Sequence, residues 1–359
     1  MRMRLILRKS TKRTGKTARN SVSSGDFSLS VSLVWLSLLG CWFFPWPLNA
    51  ALKTTTLGGV PHYDLAAVGV NLGMKAVWTK TQQKVELRSK WTTLKFEVDT
   101  RYCELNNRKI YMGRPLSLYK KRPYITQKDY LLTIRPILAP QTLEKKQILR
   151  RIVLDAGHGG RDVGAQNTGR KLREKDLALD VALRLQKKLQ TDGFQVFLTR
   201  KSDRYIPLDQ RAEFANRMNA DLFISIHFNS VDKPSVLGLE TYLLPQPWTS
   251  SSSRLRLQEM DKQSYPGNSN DGWNSLVGFF VHKTLVEKMV VVDRGLKRSR
   301  FKVLKNLQCP GMLVELGFIS HPETARRLET IQYRDQLASA LAQGIKLYRK
   351  TQKRLGGRA

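Results

Sequence analysis

Four side chains in this sequence have the types and the contexts of a zinc-dependent hydrolytic centre. His158 and His227 each follow an apolar run that is typical of a buried strand, and Glu174 opens a segment with helical periodicity. Two imidazoles and one carboxylate form a three-ligand zinc site that leaves one position open for water. Glu315 interrupts the apolar run 312–318, where a carboxylate is costly unless it is paired or functional. The four residues predict metal-assisted hydrolysis, with Glu315 as the general base for water and the general acid for the leaving amine.

Strand-like and helix-like segments alternate around these residues, which predicts an α/β domain over residues 150–350. The expected fold is a mostly parallel twisted sheet flanked by helices, in which reactive groups collect beyond the carboxyl ends of the strands. The predicted strands are 152–154, 194–198, 222–228, 239–244, 301–304 and 312–316. The predicted helices are 174–190, 207–218, 273–290, 322–328 and 334–348. The Ser-, Asn- and Pro-rich segment 245–272 is predicted to be a loop that forms a lid, forms a wall of the substrate groove or lacks fixed structure.

A second, smaller domain of α+β type is predicted over residues 51–138, with a linker over 139–149 and a basic tail over 351–359. The pattern of Leu65, Val68 and Leu72, followed by Gly73, predicts a short helix that ends at this glycine. The other predicted elements of this domain are strands at 84–87, 93–98 and 130–134 and a turn at Asn106-Asn107.

Four further residues near the expected site are candidates for supporting roles. Asn229 shares a strand face with the second histidine, so it either orients a ligand or binds a substrate carbonyl. Arg211 either holds a helix against the sheet or pairs with a substrate carboxylate, and Asp155 belongs to the same group of ligand-orienting or substrate-binding candidates. His321 either lies near the metal or caps the helix that follows it.

The net charge of the 359-residue chain is +33, which favours partners that are polyanions. Nucleic acid, an anionic membrane surface and an acidic wall polymer all qualify, whereas solvated lysine faces would explain the charge without any partner. The sequence contains no zinc finger, RRM signature or basic zipper, so no specific nucleic acid is expected. Its three cysteines are widely spaced and match neither a disulfide framework nor a CxxC metal site.

Residues 1–50 have the pattern of an export segment. Residues 1–20 contain eight Lys or Arg and no acidic residue, and residues 27–44 are mostly apolar. This segment is predicted to be a cleaved signal peptide, a retained membrane anchor or, because residues 38–41 resemble a lipoprotein box, a lipid attachment site at Cys41. We therefore expect an exported protein that acts in the periplasm or cell envelope, with or without a membrane anchor.

Several longer motifs occur in one order through the predicted α/β domain. They are LDAGHGGRDVGA, EKDLALDVALRL, TRKSDRYIPLDQRAEFAN, DLFISIHFNS, GLETYLLP and CPGMLVELGFISHPE. Together they resemble the catalytic domain of zinc-dependent N-acetylmuramoyl-L-alanine amidases. The resemblance implies zinc on His158, Glu174 and His227 and catalysis by Glu315. It also implies that the substrate is peptidoglycan, cleaved at the amide between the lactyl group of N-acetylmuramic acid and L-alanine of the stem peptide.

The same resemblance raises questions of regulation and attachment. His321 stands where that family usually has Asn. In some relatives an inserted helix covers the zinc until an activator protein binds, so an activator is a candidate partner here. The run ELNNRKIYMGRPLSLYKKRPYITQKDYLL resembles the N-terminal domain of copper amine oxidases, a module that recurs in bacterial wall proteins. It is interpreted as an attachment or substrate-binding module, with a plain spacer as the alternative.

Other functions remain compatible with the same residues. A zinc peptidase that acts on another bond of the stem peptide would use the same four side chains with a different groove. A non-catalytic wall-binding protein on the same fold is a second alternative, although the presence of both histidines and both glutamates argues against it. A nucleic-acid-binding protein would fit the charge, but the export segment argues against it.

Overall fold

The computed structural model describes residues 51–79, 83–144 and 147–356. The predicted export segment, including Cys41, and the last three residues of the predicted basic tail lie outside the described residues. Within the described part of the chain, no helix combines the length and the apolar character needed to cross a bilayer.

The N-terminal part consists of two antiparallel sheets and a few short helices. Its strands are β1 (Thr54–Leu57), β2 (Val60–Asp64), β3 (Lys75–Trp78), β4 (Lys84–Arg88), β5 (Thr93–Glu97), β6 (Tyr102–Leu105), β7 (Arg108–Tyr111), β8 (Ser117–Tyr119) and β9 (Arg122–Thr126). Its helices are α1 (Leu65–Asn71), α2 (Gln127–Asp129) and α3 (Arg135–Leu138). The strand order β1-β2-β9-β8 forms one sheet, and β3 to β7 form an antiparallel meander.

Four local predictions for this part are confirmed and one is wrong. The strands predicted at 84–87 and 93–98 are β4 and β5. Gly73 follows the C-cap of α1 with φ of +67°, and the turn between β6 and β7 has φ of +46° at Asn106 and +61° at Asn107. Residues Tyr130–Ile134, predicted as a strand, form a π-helical turn between α2 and α3. The buried residues of that turn are Tyr130, Thr133 and Ile134, a spacing of three and one that suits a helix. A run of five residues is too short for its periodicity to separate helix from strand.

The C-terminal part is a three-layer α/β structure. Its strands are β10 (Arg151–Ala156), β11 (Gln166–Asn167), β12 (Leu172–Arg173), β13 (Gln195–Leu198), β14 (Leu222–Asn229), β15 (Leu239–Leu243), β16 (Asp293–Arg298) and β17 (Gly311–Phe318). Its helices are α4 (Glu174–Thr191), α5 (Leu208–Arg217), α6 (Glu259–Lys262), α7 (Asp271–Met289), α8 (Lys302–Lys305), α9 (Pro322–Glu329) and α10 (Ile331–Gly356).

The main strands follow the order β13-β10-β14-β17-β15-β16, and every neighbouring pair is parallel except β17 with β15. Because side chains alternate along a strand, Ile152 and Leu154 pack under α4, α7 and α10, whereas Val153 packs towards α5 and α8. The predicted fold class, a mostly parallel sheet flanked by helices, is confirmed.

One strand prediction for this part is wrong. Residues 301–304, predicted as a strand, lead into the short helix α8, in which Val303 and Leu304 are both buried. The strand at this point of the chain is instead β16, which contains a single apolar residue, Leu296, and therefore gave no signal. Segment 245–272 is mostly a loop, as predicted, with the short helix α6 in it. Gln246 and Asp261 in this loop are fully buried, so the alternative that it lacks fixed structure is wrong.

The meander of the N-terminal part continues the main sheet. Strand β7 pairs with β16 through Ile110 and Leu296, so that the combined sheet has eleven strands. Segment 245–272 packs at the same junction: the backbone N–H of Ser252 donates to the backbone oxygen of Arg298 at the end of β16, and the Ser252 hydroxyl accepts the backbone N–H of Arg298.

Arg101 ties the N-terminal part to this loop. Its side chain is buried, and its guanidinium donates to the backbone oxygens of Ser250 (3.1 Å), Ser251 (3.2 Å) and Arg254 (2.5 Å). Buried carbonyl oxygens that lose their donor are costly because water cannot replace it. Arg101 therefore stabilises the path of the loop.

The substitution Arg101→Met should lower the free energy of unfolding by about 2–3 kcal/mol, because three backbone carbonyls lose a charged donor. Urea denaturation followed by circular dichroism measures this change. Arg108→Met is the matched control: its Nη2 atom lies 3.5 Å from the partly exposed Glu287, and its loss should change stability by less than about 1 kcal/mol. Equal effects of the two substitutions would contradict this role of Arg101.

Candidate metal centre and catalytic site

The structure brings His158, Glu174 and His227 together from three separate elements. His158 follows β10, Glu174 is the first residue of α4, and His227 lies near the end of β14. Nε2 of His158 is 3.1 Å from one carboxylate oxygen of Glu174, and Nδ1 of His227 is 2.8 Å from the other. One donor atom from each residue lies within 4.8 Å of the others, which is close enough to hold one metal ion.

Two glycines allow this close approach. A Cβ atom at Gly157 would lie 2.4 Å from the His227 ring. At Gly164 it would lie 2.6 Å from the His158 ring and 2.7 Å from the Glu174 carboxylate. His158 itself has φ of +59°, an uncommon conformation for a residue with a side chain. The loop after β10 is thus shaped around the imidazoles.

Glu174 is held as a carboxylate. Burial opposes its ionisation, but hydrogen bonds from His158 and His227 hold the pKa of Glu174 well below its ordinary value. The backbone N–H groups of Ala165 and Phe228 also donate to its two oxygens. All of these donors favour the charged form.

His158 faces carboxylates through both ring nitrogens. Its Nδ1 atom lies 2.8 Å from Oδ1 of Asp162, while Nε2 faces Glu174. Burial lowers the pKa of His158, but the hydrogen bonds to Glu174 and Asp162 more than offset it and raise the pKa. With the Nδ1 proton donated to Asp162, the Nε2 lone pair of His158 points towards Glu174. A metal cation between Nε2 and the Glu174 carboxylate would be attracted to both groups.

Glu315 lies beside this cluster because of strand register. On β17 it pairs with His227 of β14 on one side and with Glu240 of β15 on the other. Its Oε2 atom is buried and has no hydrogen-bond partner among the described residues. Burial, together with the negative charges of Glu174 and Glu240, raises the pKa of Glu315 well above the ordinary range. A buried carboxyl group that no other side chain engages is available to exchange a proton with a substrate or a water molecule.

Asp155 and Arg211 form a buried pair beneath the His158 loop. Nη1 of Arg211 donates to Asp155 at 2.8 Å, and Nη2 donates to the backbone oxygen of His158 at 2.9 Å. Asp155 also accepts hydrogen bonds from Thr199 and Ser225. Because Asp155 is 0% and Arg211 is 1% exposed, this geometry fixes the loop and gives a substrate no access to either charge.

The remaining candidates lie farther from the cluster. Asn229 donates to Glu240 at 3.0 Å. His321 caps α9, where its Nδ1 accepts the backbone N–H of Thr324 at 3.2 Å, so the capping alternative describes its position. His321 is not brought to the three-residue cluster.

Sequence reasoning missed Asp162, Arg200 and Glu240. Arg200 donates to the backbone oxygens of Ala156 and Gly157 and so supports the loop from the other side. Its position just beyond a predicted strand was a usable signal, since that edge of the sheet carries the site. Glu240, a carboxylate inside an apolar strand, gave the same kind of signal as Glu315.

The substitution Arg211→Met should destabilise the fold by about 3–5 kcal/mol, because it leaves the buried Asp155 carboxylate without its cation. Chemical denaturation measures the loss. Arg217→Met on the same helix is the control: it pairs with Glu213 at 3.8 Å on the exposed surface and should cost less than about 0.5 kcal/mol. A small effect at Arg211 would show that the pair is not needed beneath the loop.

The substitution Gly164→Ala should weaken the affinity for Zn²⁺ at least about tenfold, because the new methyl group meets both His158 and Glu174. Competition with a chromogenic chelator gives the affinity. Gly169→Ala in the same loop is the control, since its Cβ would meet only Asn167 at 3.8 Å. Unchanged affinity in Gly164→Ala would argue against metal binding at this cluster.

Comparison with known proteins places the chain among cell-wall enzymes. A family profile described as N-acetylmuramoyl-L-alanine amidase matches residues 152–347, and one described as copper amine oxidase N-terminal domain matches residues 55–129. The chain is 33% identical over 218 residues to the uncharacterized protein YqiI of Bacillus subtilis (strain 168), covering 60% of this chain and 92% of the relative. It is 32% identical over 221 residues to the N-acetylmuramoyl-L-alanine amidase AmiA of Escherichia coli (strain K12), covering 55% and 76%.

Proposed function

Since the chain belongs to the N-acetylmuramoyl-L-alanine amidase family, we propose that His158, Glu174 and His227 hold a zinc ion and that Glu315 is the catalytic carboxylate. The enzyme is a peptidoglycan amidase that hydrolyses the amide bond between N-acetylmuramic acid and L-alanine of the stem peptide. The observation that supports the residue assignment is the strand register that pairs Glu315 with His227, together with the lack of a hydrogen-bond partner for the buried Oε2 of Glu315 among the described residues.

The donor set fits zinc. Two imidazoles and one carboxylate are a common ligand set for catalytic zinc, and the Asp162 carboxylate orients His158 as such sites require. When bound, zinc supplies a Lewis acid that activates water and polarises a carbonyl oxygen. The side chains of the protein then transfer protons and orient the substrate.

Glu315 is suited to move the proton in both halves of the reaction. As the C–O bond to water forms, its carboxylate accepts a proton from that water. As the C–N bond breaks, the same carboxyl group returns the proton to the amine of L-alanine. The Oε2 atom of Glu315 has no competing hydrogen-bond partner among the described residues, whereas Glu174, whose pKa is lowered, is held as a carboxylate.

Membership of the N-acetylmuramoyl-L-alanine amidase family does not favour the rival enzymatic function, which is cleavage of another bond in the stem peptide. A non-catalytic wall-binding role is disfavoured because the complete set of ligands and Glu315 is present in one place.

The place of action and the further partners are also part of this proposal. Peptidoglycan lies outside the cytoplasmic membrane, so the basic and apolar N-terminal segment is proposed to export the enzyme to the periplasm or cell envelope. The charge of +33 favours additional contact with anionic wall polymer or membrane lipid rather than a specific nucleic acid. An activator protein remains a prediction.

Incubation of the full chain with peptidoglycan and Zn²⁺ should release peptides that begin with L-alanine, as identified by mass spectrometry. A chelator should abolish release. Glu315→Gln should lower the rate by a factor of about 100 or more while leaving the zinc content unchanged, because it removes only the proton carrier. Glu323→Gln, an exposed carboxylate on α9, is the matched control and should keep full activity.

Each contrary outcome has its own meaning. Peptides with a different first residue would show that the enzyme cuts another bond. Activity that survives Glu315→Gln would show that a different group carries the proton. No release by the unaltered protein under any condition would indicate a binding protein or a need for an activator.

A further inference from the structure

Glu240 organises a second group of charges next to Glu315. Its carboxylate is 2% exposed and accepts four hydrogen bonds, from Asn229 (3.0 Å), Tyr242 (2.9 Å), Arg294 (2.8 Å) and Lys297 (2.6 Å). A carboxylate has about four acceptor positions, so all of them are used. Burial opposes its ionisation, but Lys297 and Arg294 lower the pKa of Glu240. Glu240 is therefore a fixed anion that holds other groups in place.

Arg294 uses only one edge of its guanidinium in this group. Nε donates to Glu240, and the guanidinium lies over the Phe318 ring with 5.0 Å between Cζ and the ring centroid. None of the described residues accepts a hydrogen bond from its two Nη atoms, and 33% of the side chain is exposed. Two parallel N–H groups on a fixed guanidinium are the geometry that binds a carboxylate in bidentate fashion.

Neighbouring residues keep this arginine in position. A Cβ atom at Gly238 would lie 2.9 Å from the Arg294 side chain, so the glycine leaves room for it. On the other side, Tyr111 of β7 packs against Gly295, where a Cβ atom would lie 2.8 Å from its ring. The N-terminal part of the chain thus helps to fix the backbone that carries Arg294.

The distance between Arg294 and Glu315 sets how far along the substrate a group bound by Arg294 lies from the scissile bond. Strands β17, β15 and β16 are consecutive in the sheet, so β16 lies two strand spacings, or about 10 Å, from β17. An extended peptide covers that distance in about three residues. A substrate whose scissile amide lies at Glu315 can therefore bring its second or third residue to Arg294.

The charges around Arg294 determine which part of the substrate can bind there. Arg294 and Lys297 carry two positive charges against the single negative charge of Glu240. In the intact substrate the lactyl carboxyl group is consumed in the amide, so that position of the glycan is uncharged, whereas the peptide ends in a carboxylate. We propose that Arg294 binds a carboxylate of the stem peptide, two or three residues beyond the scissile bond. This inference rests on the proposed function.

The test compares two substrates that differ only in charge: a muramyl peptide with free carboxylates and the same compound with those groups converted to amides. With the full chain and Zn²⁺, kcat/KM should favour the free acid by about 10- to 100-fold, as expected for a charge-assisted bidentate contact. Arg294→Gln should raise KM for the free acid and abolish the preference, with kcat little changed. Arg294→Lys should keep part of the preference, and Arg326→Gln, an exposed residue of α9, should keep all of it.

A binding measurement separates this inference from the proposed function. Calorimetric titration with the product peptide and its amide reports the preference for a carboxylate without any cleavage. If neither substrate is cleaved but the unaltered protein still prefers the free acid and Arg294→Gln does not, the role of Arg294 stands, and the lack of cleavage bears only on the proposed function. Equal handling of the two forms by the unaltered protein would overturn the role of Arg294. So would an equal loss on both substrates in Arg294→Gln, because that pattern indicates a purely structural role.

Discussion

The site depends on the register of three neighbouring strands. Strand β17 pairs with β14 on one side and with β15 on the other, and this pairing places Glu315 between His227 and Glu240. Side chains alternate along a strand, so a slip of one residue would turn Glu315 to the opposite face of the sheet. The fully buried Val314 and Leu316 oppose that slip, because it would remove them from the core beneath α7.

The carboxylates along this sheet differ in their partners, and the difference separates structural from chemical roles. Asp155 is neutralised by Arg211, and Glu240 is neutralised by Arg294 and Lys297. Both side chains are held in place by these ion pairs. The Oε2 atom of Glu315 has no partner among the described residues, and its pKa is raised. The carboxyl group that lies next to the three-residue cluster is therefore one whose Oε2 atom the fold leaves unpaired among the described residues.

The N-terminal module and the catalytic fold are joined through backbone structure. Strand β7 extends the main sheet at β16, the strand that carries Arg294, and Arg101 of the module holds the loop of residues 245–272. Tyr111 contacts Gly295, next to the proposed carboxylate-binding residue. A module attached in this way acts on the geometry of the catalytic part whether or not it also binds the cell wall.

The sequence by itself determined the fold class and pointed to His158, Glu174 and His227, which the fold brings together, and to the adjacent Glu315. Polar residues at the ends of apolar strands are rare and easily seen. It misassigned residues 130–134 and 301–304, since short apolar runs fit a helix and a strand equally well. It also missed β16, which exists because β15 and β7 offer it backbone partners. Only the tertiary structure shows that Asp162 faces His158 and that Arg294 pairs with Glu240. Each contact depends on which side chain lies opposite, and strand register and long-range packing determine which side chain that is.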